Sequence, residues 1–174
     1  MATGDLLNGK IALITGGSRG LGRAILEAFA AAGAEGIAFD LTPPAEDLPP
    51  GWAFEPGDVT LERDIMRVCE QVGENFGRLD CLVANAGIVP PWRNCEAIEM
   101  AEWDRVFAVN VRGVMASIKH AVPLMKEAGG SIIAMASINA IVSHPKQMAY
   151  TASKLRCWAS SALPPAISGA MASG

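Results

Sequence analysis

The stretch "KIALITGGSRGLGRAILEAFAAAG", from Lys10 to Gly33, constrains the fold more than any other part of the chain. Residues 11–15 form a short apolar run that ends in a glycine-rich turn, the pattern of a buried strand. Beyond the turn Leu21, Ile25, Ala28, Phe29 and Ala32 recur at helical spacing, and Gly33 stands where a left-handed helix cap is wanted. Strand, turn and helix make one βα unit. Glycines at 16, 20 and 22 let backbone approach a ligand closely, while the free N–H groups of the helix N-terminus favour an anion.

The same alternation continues. "GIAFD" ends a second strand at Asp40, and "LTPPAEDLPPG", with four prolines, reads as a surface loop. A third strand is expected around Ala53 to Glu55. A helix follows from about Leu61 to Phe76, with Ile65, Val68 and Val72 on one face and Gly77 at its end. "LDCLVANAG" gives a fourth strand and "GSIIAMAS" a fifth. Between them the chain reads as helical from about Ala101 to Ala128, bent or divided near Asn110 to Gly113. Strands alternating with helices imply a parallel sheet covered on both faces, an α/β, Rossmann-like, doubly wound fold of about five strands.

Composition removes several function classes. At 174 residues, 51% hydrophobic and 18% charged, the chain suits one compact domain, and its net charge of −4 without a basic run excludes a nucleic-acid footprint. No apolar run reaches the ~20 residues a membrane span needs, and the N-terminus lacks the order of a secretory signal, so a cytoplasmic location is expected. Cys69, Cys81, Cys95 and Cys157 lack metal-ligand spacing and read as reduced, mostly packed thiols. His120 on a helix and His144 in a loop suggest neither a hydrolase triad nor a zinc site.

Asp40, eighteen residues after Gly22, sits where a strand-end carboxylate accepts hydrogen bonds from ribose hydroxyls. It would repel a 2′-phosphate, which favours NAD over NADP. Arg19 argues the other way, since a guanidinium can clamp that phosphate.

"TGGSRGLG" at 15, "DV" at 58, "NAG" at 85, "VN" at 109, Ser137 and "YTASK" from 150 occur in one order, and with them the chain resembles the short-chain dehydrogenases/reductases. The resemblance implies a single Rossmann-like domain that transfers hydride between a nicotinamide and a small alcohol or carbonyl substrate, usually without metal. It implies that Gly16, Ser18, Arg19, Gly20, Leu21 and Gly22 cradle the cofactor, that Asp58 and Val59 contact its adenine side, and that Asn85, Ala86 and Gly87 lie against it. Asn110, Ser137, Tyr150 and Lys154 would form the active site, with Tyr150 and Lys154 also touching the cofactor. Tyr150 and Lys154 are four apart, which puts them on one face of a helix. A phenol is a poor base at neutral pH, and a neighbouring ammonium favours its anion. Ser137, thirteen residues before Tyr150, would orient the substrate oxygen.

The resemblance covers about residues 8–154, and the family normally continues for another two strands and a substrate lid. Residues 1–154 therefore read as an incomplete NAD(P)-binding domain and 155–174 as an atypical tail, and beside the oxidoreductase stands the alternative of a catalytically inactive nucleotide-binding fragment or interaction module. There Pro164 and Pro165 stop any helix by about Ala162. A chain truncated in this way would leave its fifth strand at a sheet edge, where pairing with another chain is expected. The family's usual dimer contact, formed by helices around Ala101 to Ala128 and from Tyr150 onward, is altered in its second half, which counts against a homo-oligomer.

Overall fold

A computed structural model describes residues 6–159, with side chains to Leu155. Five strands, β1 (Ile11–Thr15), β2 (Glu35–Asp40), β3 (Trp52–Pro56), β4 (Cys81–Ala84) and β5 (Ser131–Ala134), pair in the order β3-β2-β1-β4-β5. All four pairings are parallel, with Leu13 opposite Ile37 on one side and Leu82 on the other. The expected parallel sheet of five strands, with the fifth at an edge, is the one observed.

Side chains alternate across a strand, so each strand supplies two cores. Leu13, Ile37, Phe39, Leu82 and Ile132 meet Ile65, Val68 and Val72 of α2 (Glu62–Phe76) on one face. Ala12, Ile14, Ala38 and Val83 meet Leu26 of α1 (Gly20–Ala31) on the other. The helical spacing put Leu21 and Ala28 on the packed side of α1, but both are exposed. Gly22 and Leu26 are the residues buried there, with Ile25 and Phe29 partly so. The correction follows from helical geometry: at 100° per residue Leu21 and Ala28 point away from Leu26, and Leu21 is turned to the crevice beside the glycine turn instead.

The proline-rich stretch 41–51 holds no regular element and is tied to α1 by Arg23, which donates to the carbonyls of Glu46 (3.2 Å) and Asp47 (2.7 Å). At the opposite rim Asp80 joins β4 to β1, accepting from Ile11 N (2.9 Å), Lys10 Nζ (3.1 Å) and Arg78 Nε (3.0 Å). Its partial burial favours the neutral acid, yet these donors together hold its pKa below the ordinary carboxyl value.

The expected break in the long helix is a π-helical segment, Ala108–Gly113, between α3 (Met100–Phe107) and α4 (Val114–Ala121). A 3-10 turn, Val122–Met125, follows where Pro123 enters the chain. The last helix, α5, runs Met148–Ala159. The side chain of Cys157, Pro164, Pro165 and the rest of the expected tail lie outside the described residues.

β5 forms one edge of the described sheet, although its Ile132 and Ala134 are only 3% and 8% exposed. Among the described residues no helix is long and apolar enough to cross a membrane, and no group of three His, Cys, Asp or Glu side chains is placed to hold a metal.

Candidate active site

A crevice of about 590 Å³ opens at the carboxyl ends of β1, β2, β3 and β4. Its place follows from the strand order: the chain leaves β1 toward β2 on one side, while β4 pairs on the other, and the two connections part above the sheet. The glycine turn forms one wall. Arg19 is extended (φ −152°) before the first residue of α1, and no side chain caps that helix, so its leading N–H groups face the crevice mouth without a side-chain acceptor.

Two glycines are required by close approach. A Cβ on Gly22 would overlap the Gly16 carbonyl, and one on Gly16, whose φ is +69°, would sit 2.9 Å from Ala86 Cα. The contact is held from the other side by Asn85, whose Nδ2 donates to the carbonyls of Thr15 and Gly16, both at 3.1 Å. Thr15 Oγ1 accepts from the N–H groups of Asn85 and Ala86 at 3.1 Å each. Asn85 thus shapes the glycine turn as well as lining the crevice.

Asp40 stands at the rim, its Oδ2 accepting from Ser18 N (3.0 Å) and its Oδ1 from Leu41 N (2.8 Å). Each carboxylate oxygen has a second lone pair for a ligand hydroxyl. Asp58 Oδ1 accepts from Thr60 N (2.8 Å), and Asp58 N donates to Asp64 Oδ2 (3.0 Å), fixing the turn that starts α2. Gly16, Arg19, Gly20, Leu21, Gly22, Asp40, Asp58, Val59, Asn85, Ala86 and Gly87 all line the same crevice. Ser18 does not. It lies behind the wall, 6% exposed, with its Oγ buried and lacking a protein partner.

These features fit a dinucleotide: open helix N-terminal donors, a glycine cradle that side chains would fill, and a volume within the usual range for small-molecule sites. Leu41, Thr60, Ile88 and Arg105 also line the crevice and carried no signal in the sequence. An exposed arginine on a helix looks like any solvated residue until the π-helical segment turns its neighbours toward the sheet.

The second group of residues lies beside the crevice. Asn110 is fully buried; its Oδ1 accepts from Ile88 N (2.8 Å), and its Nδ2 donates to Ile88 O (2.9 Å) and Ser153 Oγ (3.0 Å). Ser153 Oγ in turn donates to Tyr150 O at 2.7 Å. Lys154, 5% exposed, donates from Nζ to Met135 O at 2.5 Å, and its Nζ is 5.9 Å from the centre of the Tyr150 ring. Ser137 begins the 3-10 turn Ile138–Ala140, which packs against α5, and its Oγ accepts from Asn139 N at 3.3 Å. The two groups meet at Gly87. A Cβ built there would lie 3.4 Å from Asn110 Oδ1 and 3.7 Å from Lys154 Nζ.

Other titratable side chains are engaged elsewhere. Glu62 accepts from Lys119 Nζ (2.7 Å) and sits 2.9 Å from His120 Nε2, and these contacts, Lys119 first, lower its pKa to about 2. His144 lies against Trp92 with ring centres 4.3 Å apart. Burial pushes the Cys69 thiol up to about 12 and the Cys81 thiol up to about 11, so neither is a nucleophile at neutral pH. Cys95 departs from the expected packing, being exposed in a loop turn where no core can cover it.

The fold and crevice are those of a Rossmann-like α/β protein. The short chain dehydrogenase family model matches residues 10–157, and the chain belongs to that family. It is 35% identical over 158 residues to the L-fucose dehydrogenase of Mus musculus, covering 88% of this chain and 58% of that protein. It is 38% identical over 161 residues to (+)-borneol dehydrogenase 2 of Salvia officinalis, covering 85% of this chain and 56% of that one. The ligand-free aldohexose dehydrogenase of Thermoplasma acidophilum superposes with a TM-score of 0.88 at 27% identity, over 96% of this chain and 67% of that one. The chain thus spans little more than half the length of these curated relatives.

Proposed function

We propose that the crevice binds NAD in preference to NADP and that Asn110, Ser137, Tyr150 and Lys154 serve oxidation of a small alcohol or reduction of its carbonyl. The convergence of Asn110 Oδ1 and Lys154 Nζ on Gly87, which lines the crevice, supports this most directly. The helix N-terminus and the glycine turn would hold the pyrophosphate, Asp40 the adenosine ribose, and Lys154 the ribose nearer α5. A bound nicotinamide supplies the hydride acceptor or donor.

The chain's own residues handle the proton. In the oxidative direction the Tyr150 phenolate takes the proton from the substrate hydroxyl, and Ser137 Oγ donates a hydrogen bond to the same oxygen as its charge develops. The Lys154 ammonium stabilises the phenolate. Asn110 holds Ile88 and, through Ser153, the first turn of α5, so that both walls keep their separation. Reduction runs through the same groups in reverse.

Tyr150→Phe keeps the ring and removes the proton carrier. It should lower turnover by at least about 10²-fold, with a far smaller change in NADH affinity. Turnover equal to that of the unmodified chain rejects Tyr150 as the acid/base.

A further inference from the structure

Residues 138–148 run from Ser137 to the first turn of α5, which carries Tyr150, and residues 88–94, which follow β4, lie against them. They are joined by Arg93 N donating to Lys146 O (3.0 Å) and by the ring contact of Trp92 with His144. Most of the large side chains they expose are apolar. Val89, Trp92, Ile138, Ile141, Val142 and Met148 are between 43% and 70% exposed. Large apolar side chains open on two joined segments offer apolar contact area to a ligand.

The polar side chains of the same segments are largely spent on each other. Asn139 Nδ2 donates to Gln147 Oε1 at 2.7 Å, Arg93 Nε lies 3.3 Å from Glu102 Oε1, and His144 Nδ1 accepts from Lys146 N at 3.3 Å. Asn94, Ser143 and Lys146 are the polar side chains not so engaged. A site that recognises a polyol must offer each hydroxyl a donor or acceptor, because every hydroxyl stripped of water without one is a loss. This surface offers contact area instead, next to the hydroxyl of Ser137 that meets one oxygen.

We infer that the substrate is an apolar secondary alcohol or its ketone rather than a sugar, held by Ile138, Ile141, Val142 and Trp92 with a single polar contact at the reacting oxygen. The inference rests on the proposed roles of Ser137 and Tyr150 at that oxygen. Other occupants of the patch, such as a second copy of the chain, would compete with the alcohol and appear as a concentration-dependent mass.

The test uses the purified chain saturated with NADH, so that an alcohol ligand binds without turnover. Heat of binding is measured for 4-methylcyclohexanol and for L-fucose, in the unmodified chain and in Ile141→Asp and Val142→Ser, two exposed positions where folding should be unaffected. The expected result is saturable binding of 4-methylcyclohexanol, weakened about tenfold or more in Ile141→Asp and less in Val142→Ser, no binding of L-fucose at the same concentrations, and NADH affinity unchanged in both variants. Equal or tighter binding of L-fucose overturns the inference. So does methylcyclohexanol binding that neither variant alters, or a chain that binds NADH, or dimerises, but takes up neither alcohol. Failure to bind NADH at all defeats the proposed cofactor site first, and the inference with it.

Discussion

Removing the Asn110 side chain should destabilise the protein more than its single position suggests. Asn110→Ala deletes hydrogen bonds to Ile88 N, Ile88 O and Ser153 Oγ from a site with no solvent exposure. At ~0.5–1.5 kcal/mol net for each bond, the loss comes to about 3 kcal/mol. For a chain of 174 residues that corresponds to a fall in Tm of roughly 6–12 °C. Ser153→Ala deletes one of the same bonds together with the one to Tyr150 O, and should cost about 1–2 kcal/mol. Because the two side chains share a bond, the double variant should lose less than the sum, with a coupling of about 0.5–1.5 kcal/mol. Urea unfolding of the four proteins, followed by circular dichroism, gives the cycle. A loss below about 1 kcal/mol for Asn110→Ala, or strict additivity, would refute the idea that this amide clamps the π-helical segment to Ile88 and α5.

Two further outcomes follow from the geometry. Gly22→Ala places a methyl group on the Gly16 carbonyl and 2.6 Å from Asn85 Nδ2, so the glycine turn must open; NADH affinity, measured by nicotinamide fluorescence, should fall by at least about tenfold, with a stability cost of ~1–3 kcal/mol. Asp80 has a folded-state pKa below its unfolded value, so its contribution is complete above the ordinary carboxyl range and is lost as pH falls through that range toward the folded value. Asp80→Asn should therefore flatten the acid limb of a stability profile taken by thermal unfolding, and an unchanged limb would count against this carboxylate as the β1–β4 tie.

What the sequence disclosed was local, and what it hid was long-range. The glycine turn, the strand end at Asp40 and the helix end at Gly77 could be read because each depends on a few neighbouring residues. Gly77 does adopt φ +73°. The break near Asn110 was legible as an interruption, but its cause was not. The amide's partners, Ile88 and Ser153, lie 22 and 43 residues away. Asn85 likewise was expected against a cofactor, whereas its amide is also turned to Thr15 and Gly16, about seventy residues earlier in the chain. Leu21 misled the helical pattern because apolar character alone does not tell a core face from a crevice wall. Arg105 gave no signal for the same reason, in reverse.

The central claim, that this crevice takes a dinucleotide and that Asp40 chooses NAD, is met most directly by one titration. The purified chain is titrated with NADH and with NADPH while nicotinamide fluorescence is followed, and the soluble mass is checked in the same sample. The account predicts saturable binding with NADH clearly the tighter ligand, and a reduced gap between the two in Asp40→Ser. NADPH binding as tightly as NADH would contradict the assignment of Asp40, and a folded, soluble chain that binds neither would contradict the assignment of the crevice.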